Sequence, residues 1–172
     1  VMCVKKESKL KIDNKKIQKI FDDEKRIDQS AYSRFNQRVE NTKNVINLFL
    51  NSIKKNEIIG YGASTKGNIV LNHCGINSKN LPLICDENIE KHGKYTPGSN
   101  IKIISKQQMR KLQPKYLFVL IWSFRQEVIM QEEEYIKKGG KLIFHLPILH
   151  IIDKSNYKKF IKEDFKSFSY DY

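Results

Sequence analysis

The spacing of apolar residues changes along the chain, from helical intervals in the first third to short strand-like runs afterwards. Apolar positions three or four residues apart predict a helix over residues 12–27, with Asp13 as its N-cap. The same spacing predicts a longer helix from Ser30 to about Lys55. We expect this longer helix to cover one face of the sheet that follows it.

After residue 57, short apolar runs alternate with amphipathic segments. The first run contains Ile58 and Ile59, and further runs predict strands at residues 81–85, 101–104, 116–122 and 141–144. The intervening segments predict helices at residues 68–73, 105–112 and 124–138, and residues 149–152 form a candidate edge strand.

This alternation requires a parallel sheet with right-handed crossovers, most simply in the strand order 3-2-1-4-5. The predicted fold class is α/β: a Rossmann-like, three-layer αβα domain with a mostly parallel sheet of about five strands, preceded by N-terminal helices. We assign residues 1–30 to an N-terminal connector, 31–152 to the Rossmann-like domain and 153–172 to a C-terminal tail.

The first predicted strand ends in a glycine-rich turn that opens into a helix. The glycines allow a tight turn with close backbone approach, and Ser64 or Thr65 can cap the helix. Unpaired N–H groups and the partial positive charge of a helix start favour a diphosphate, to which the Lys66 cation would add. The candidate ligand-binding residues of the turn are Gly60, Gly62, Ala63, Ser64, Thr65, Lys66, Gly67 and Asn68.

Glycine spacing alone does not identify the ligand. Thr65 stands where the dinucleotide-binding fingerprint has its third glycine, and Asn68 follows Gly67 where a Walker A loop has lysine. Ile58 and Ser64 replace the acid and the third glycine usual in loops that bind S-adenosylmethionine (SAM), so neither ATP hydrolysis nor a SAM site is expected. A tight turn without any ligand stays open as an alternative.

Further candidate residues follow the other predicted strands. Asp86 ends the second strand, where dinucleotide-binding folds hold a ribose hydroxyl, but it could equally cap the turn over residues 86–88. Strands 1 and 4 flank the topological switch point, which would place Trp122, Ser123 and Arg125 opposite the glycine-rich turn. Arg125 could pair with a phosphate or be a surface arginine at a helix start. The loop over residues 90–99 could close over a ligand.

Composition narrows the class of protein. The net charge of +13 and pI near 9.6 raise the question of nucleic acid, but the basic residues are spread along the chain, so no nucleic-acid partner is expected.

Cys3, Cys74 and Cys85 form no CxxC pair and the four histidines have no ligand spacing, so no metal site is expected. The separate cysteines favour a reducing cytoplasm, and with no membrane-spanning run and no signal sequence we expect a soluble, cytoplasmic protein. The chain starts at Val1 without an initiator methionine, and residues Val1 to Val4 predict a strand that is cut midway, so we expect the chain to come from a longer polypeptide.

Four motifs in order resemble the C-terminal domain of bacterial SAM-dependent sugar C-methyltransferases. They are GYGASTKGN at residues 60–68, EKHGKYTPGS at 90–99, WSFR at 122–125 and KGGKLIFHLP at 138–147, and the resemblance covers about residues 31–151. In that family, a zinc-binding domain and a SAM-binding domain precede a Rossmann-like domain that holds the nucleotide-diphosphate part of a keto-deoxysugar. The resemblance implies that residues 60–68 contact the diphosphate or sugar and that residues 94–98 contribute to the cleft, with Lys94, Tyr95 and Thr96 as candidate binding residues.

The resemblance implies that this chain is part of a transferase and that it contains no catalytic residue. SAM and zinc would bind in upstream domains, and the expected partners are those domains and a dTDP- or GDP-linked sugar. Many relatives have histidine where this chain has Ser123, so the resemblance does not determine which sugar is bound. The alternatives are an NAD(P)-binding oxidoreductase fragment, suggested by Asp86, and a non-catalytic interaction module, suggested by charge alone.

Overall fold

A computed structural model of the chain describes residues 12–25 and 27–163. These residues divide into one unit that ends at Arg38 and a second that begins at Val39. In the first unit, helix α1 (Asn14–Glu24) begins after Asp13, whose carboxylate accepts a hydrogen bond from the Lys16 N–H at 3.1 Å. The predicted first helix and its cap are confirmed, although the helix ends three residues early; the predicted Val1–Val4 strand lies outside the described residues.

Helix α2 (Gln29–Asn51) confirms the long helix but ends before the predicted Lys55, which instead begins a 3₁₀ turn (Lys55–Glu57). Its C-terminal half lies in the second unit. There Ile46 and Leu50 are buried in the apolar cluster that also contains Ile58 of the sheet. This part of α2 therefore covers one face of the sheet, as predicted.

The second unit is built on a six-stranded sheet in the order β3-β2-β1-β4-β5-β6. Strands β1 to β5 are parallel, and β6 runs antiparallel to β5 at the edge. The predicted α/β class, strand order and edge strand are confirmed. The strands are β1 (Ile58–Tyr61), β2 (Leu83–Asp86), β3 (Lys102–Ser105), β4 (Tyr116–Val119), β5 (Lys141–Phe144) and β6 (His150–Ile152).

Helices cover both faces of this sheet and make a three-layer arrangement. One apolar cluster joins α2 and α3 to the sheet, and a second joins the sheet to the helices from α4 onward. These helices are α3 (Thr65–Cys74), α4 (Lys106–Leu112), α5 (Arg125–Gln131), α6 (Glu133–Lys137) and α7 (Tyr157–Lys162). No predicted element corresponds to α7, whose Tyr157 is buried in the second cluster.

The predicted fourth strand is too long. It was expected to reach Trp122, but β4 ends at Val119 and Trp122 begins a 3₁₀ turn (Trp122–Phe124). The physical reason is the lack of neighbours, because β1 turns away at Gly62 and β5 ends at Phe144. An apolar run cannot reveal where its partner strands stop.

The prediction of a single helix over residues 124–138 is wrong. The helix breaks at Glu132, whose backbone angles (φ −103°, ψ 15°) leave the helical range. The side chain of Glu132 is fully buried, pairs with the guanidinium of Arg110 and accepts a hydrogen bond from the Tyr61 hydroxyl at 2.9 Å. A charged residue in an amphipathic pattern gave no sign of this inward position.

Within the described residues, every helix is too short or too polar to cross a membrane.

We predict that Arg110→Met lowers the free energy of unfolding by about 3 kcal/mol, because the buried Glu132 carboxylate loses its principal partner. Lys106, with its ammonium 3.8 Å from the carboxylate, compensates only in part. Urea unfolding measures the loss. The double variant Arg110→Met/Glu132→Leu should recover most of it, and Lys111→Met, at the exposed next position, is the control. Equal losses of unfolding free energy for Arg110→Met and Lys111→Met would contradict the assignment of Arg110 as the principal partner of Glu132.

His145 follows β5 and is fully buried, with its ring centroid 5.3 Å from that of Phe118. Burial lowers the pKa of His145 from 6.5 to about 4. Because the folded state disfavours the charged imidazole, this contribution to stability is complete above pH 6.5 and is lost as the pH falls towards 4.

We therefore expect acid to destabilise the protein by up to about 3 kcal/mol through this histidine. Urea unfolding at pH 7 and pH 4.5 should show a smaller pH-dependent loss for His145→Gln than for the wild type. His73→Gln, at an exposed position on α3, should behave like the wild type. An unchanged pH-dependent loss in His145→Gln would contradict this assignment.

Candidate functional site

The glycine-rich turn connects β1 to α3 at the carboxyl edge of the sheet. Gly62 has a φ of +86°, which an L side chain rarely adopts, and its carbonyl accepts a hydrogen bond from the Ser64 N–H at 2.9 Å. The Ser64 hydroxyl accepts from the Gly67 N–H at 3.0 Å. Of the two predicted caps, Ser64 is therefore the N-cap, and Thr65 is the first residue of the helix.

The start of α3 leaves hydrogen-bond donors available. The backbone N–H groups of Thr65 and Lys66 have no acceptor among residues 12–25 and 27–163. Next to them, the Lys66 ammonium lies 5.9 Å from the centre of the Trp122 ring. Two free N–H groups, a helix dipole and a cation together form a local environment that favours an anion.

The three glycines of the turn are close to protein atoms. A Cβ at Gly60 would lie 2.6 Å from Ile84, one at Gly62 would lie 2.6 Å from Ile121, and one at Gly67 would lie 2.8 Å from Leu120. Internal packing therefore accounts for these glycines without a ligand. It also makes Gly62 a poor position for testing binding, because a substitution there would disturb the fold.

Asp86 fixes the turn to the end of β2. Its carboxylate accepts hydrogen bonds from the Ala63 N–H at 2.8 Å, the Asn88 N–H at 2.9 Å and the Lys91 ammonium at 3.1 Å. Lys91 also donates to the Ala63 carbonyl at 3.0 Å. The bond to Asn88 is the predicted cap of residues 86–88, whereas the link to Ala63 and Lys91 was not anticipated. These contacts occupy acceptor positions that a ribose hydroxyl would need.

The loop over residues 90–99 is anchored along its length. The Gly93 N–H donates to the Ile103 carbonyl at 2.9 Å, and the Ile103 N–H donates to the Lys94 carbonyl at 2.8 Å. Thr96 is buried with its hydroxyl 2.6 Å from that of Ser99, while Lys94 and Tyr95 are exposed. The Asn72 amide also donates to the Pro97 carbonyl at 3.1 Å. These bonds give the loop a fixed shape and do not favour closure over a ligand.

The residues after β4 have different environments. Trp122 is half-buried beside Lys66, and Ser123 is exposed in the 3₁₀ turn. Arg125 is only 1% exposed; its guanidinium donates to the Glu163 carbonyl at 3.2 Å and lies 5.2 Å from the Phe160 ring centre. Contrary to expectation, Arg125 is therefore neither a surface residue nor available for a phosphate, because packing against the α7 region engages it.

A cleft of about 300 Å³ adjoins the turn. It opens beyond the carboxyl ends of the strands, since Tyr61 ends β1, Asp86 ends β2 and Lys106 follows β3. Most of its lining residues were not predicted from the sequence, although the rule that ligands bind at this edge could have indicated Lys106. The lining residues are Tyr61, Gly62, Asp86, Glu87, Lys106, Ile121, Phe124, Glu127, Val128 and Gln131.

A wider cavity of about 560 Å³ lies at the opposite edge of the sheet. Its lining includes Lys115, which precedes β4, and Gly140, which precedes β5. Ligands of open parallel sheets bind at the carboxyl edge, so the smaller cleft beside the turn is the better candidate.

The described residues do not fit a zinc site, since they contain no group of three His, Cys, Asp or Glu side chains that could hold a metal. Cys74 and Cys85 are free and buried, and burial raises the pKa of the Cys85 thiol to about 12, which disfavours the thiolate that zinc requires. Cys3 lies outside the described residues.

Comparison with known proteins identifies the family of the chain. Residues 1–147 match the family of C-methyltransferase C-terminal domains. Over 95 residues, the chain is 36% identical to the C-methyltransferase NovU of Streptomyces niveus. This alignment covers 55% of the chain and 23% of NovU, so the chain spans less than a quarter of that relative. The family match covers most of the sheet and the whole turn. The chain belongs to the family of C-methyltransferase C-terminal domains.

Proposed function

We propose that this chain binds the diphosphate of a nucleotide-linked keto-deoxysugar at the start of α3. The observation that carries the proposal is the pair of N–H groups on Thr65 and Lys66, which have no acceptor in the described part of the chain. A diphosphate presents several acceptor oxygens and two negative charges, and it can satisfy both groups at once. The Lys66 ammonium supplies a charge-assisted contact at the same place.

The turn is suited to this role because it is fixed before any ligand arrives. Asp86 and Lys91 hold Ala63, and the Ser64 cap holds Gly67. A fixed donor arrangement loses little conformational entropy on binding, which favours affinity. Trp122 could add contact area beside Lys66.

For the whole protein, we propose a SAM-dependent C-methyltransferase that acts on a dTDP- or GDP-linked keto-deoxysugar. The family match supports a methyltransferase-related role for this chain. SAM and zinc would bind in upstream domains. SAM would supply the methyl group to a carbanion next to the sugar keto group, and the present chain would hold and orient the sugar nucleotide.

The alternatives have weaker support. A nicotinamide cofactor or SAM in this chain would place a ribose hydroxyl near Asp86, whose carboxylate already accepts three hydrogen bonds. An interaction module that binds nucleic acid rests only on the net charge of +13.

We predict that Lys66→Ala weakens binding of dTDP or GDP about tenfold, because the diphosphate loses a charge-assisted contact. Isothermal titration calorimetry at low and moderate salt measures the change, and the wild-type affinity should fall as salt rises. Lys79→Ala is the matched control, since it removes an exposed lysine from the loop after α3.

Titration with NAD and SAM completes the experiment. Selective binding of a nucleoside diphosphate would support the proposal and identify the base. Binding of NAD or SAM alone would contradict it, as would equal losses in Lys66→Ala and Lys79→Ala.

A further inference from the structure

We infer that the cleft beside the turn holds the sugar of the bound nucleotide, with Glu127 and Phe124 as the residues that recognise it. The inference rests on the proposed function and adds the position and chemistry of the sugar subsite.

The cleft and the proposed diphosphate site lie at the same glycine-rich turn. Gly62 lines the cleft, and the free N–H groups belong to residues three and four positions further along the chain. Since consecutive Cα atoms are about 3.8 Å apart, Thr65 lies within about 11 Å of Gly62. A ligand with its diphosphate at the helix start can therefore extend its next group into the cleft.

The charge of the cleft excludes the diphosphate itself. The lining contains the carboxylates of Asp86, Glu87 and Glu127 but only the cation of Lys106, which is already paired with Glu87. An anionic group there would be repelled. A sugar is uncharged, and its hydroxyl groups donate hydrogen bonds that carboxylates accept.

Two polar groups remain available in the lining. The Glu127 carboxylate is exposed and makes neither a hydrogen bond nor an ion pair with any described residue. The Gln131 side-chain oxygen accepts from Lys106 at 3.1 Å and lies 3.2 Å from the Tyr61 hydroxyl, whose single proton it shares with Glu132. Its amide NH₂ has no acceptor in the described ranges. An acceptor and a donor in one cleft suit hydroxyl and keto groups, which use both kinds of bond.

The same cleft has an apolar side. Phe124 is 55% exposed, and Ile121 and Val128 contribute further apolar lining. A deoxysugar has an apolar face of C–H groups that can pack on such a ring. The volume of about 300 Å³ lies at the lower end of the range for small-molecule sites, about 300–1,000 Å³, which suits one hexose and not a whole sugar nucleotide.

The experiment compares each nucleoside diphosphate with its sugar conjugate by calorimetry on the 172-residue chain. The probes are dTDP with dTDP-glucose and GDP with GDP-mannose. For the base that binds, we expect the wild type to bind the sugar conjugate about tenfold more tightly than the free diphosphate. Glu127→Ala and Phe124→Ala should each reduce this ratio to about twofold or less, with affinity for the free diphosphate nearly unchanged.

Glu127→Gln should give an intermediate ratio, because a neutral acceptor remains. Glu134→Ala, which removes an exposed glutamate at the opposite edge of the sheet, is the matched control and should keep the wild-type ratio. Circular dichroism checks that each variant is folded.

The outcomes separate the two proposals. If a diphosphate binds but the sugar adds nothing, or if the ratio survives both Glu127→Ala and Phe124→Ala, the sugar subsite is wrong and the diphosphate site stands. If neither dTDP nor GDP binds the folded wild type, the proposed function fails and the subsite fails with it.

Discussion

The close packing of the glycine-rich turn against the neighbouring strands is the constraint on which the rest of the site depends. Gly60, Gly62 and Gly67 have no room for a side chain because Ile84, Ile121 and Leu120 occupy that space. This packing brings the start of α3 directly over the carboxyl edge of the sheet. The free N–H groups, Lys66 and the adjoining cleft owe their common location to it.

A second constraint is the burial of polar groups on the other face of the sheet. The Glu132 carboxylate, the Tyr61 hydroxyl and the Lys106 ammonium form one cluster with Arg110. Burial and the nearby Glu132 charge raise the pKa of Tyr61, which keeps its hydroxyl as a donor. Because Tyr61 and Lys106 also line the cleft, the network that supports the helix break also fixes part of the cleft wall.

Most of the fold could be predicted from the sequence because its signals are local. Apolar runs located the strands, and their alternation with helices determined the order. The Ser64 cap of α3 follows from residue chemistry. The break at Glu132 could not be predicted, since it depends on a partner, Arg110, that lies on another helix. The end of β4 was missed for a similar reason, because it depends on where the neighbouring strands stop.

The candidate site was predictable only in part. The turn has a local pattern, so its residues were found. In contrast, the contact of Arg125 with the α7 region and the presence of both Glu127 and Glu87 in the cleft lining arise from tertiary packing. The family that the sequence motifs resemble is confirmed by the family match. Of the residues that line the cleft, these motifs contain only Tyr61, Gly62 and Phe124.

The packing of α7 affects where the folding unit ends. The family match stops at residue 147, yet β6 pairs with β5 and Tyr157 is buried beyond that point. Glu163 also provides the carbonyl that Arg125 and Gln126 bind. A protein cut at the family boundary would lose an edge strand and expose a buried arginine to water. The sequence-family boundary therefore falls inside the packed structural unit, which extends to at least residue 163.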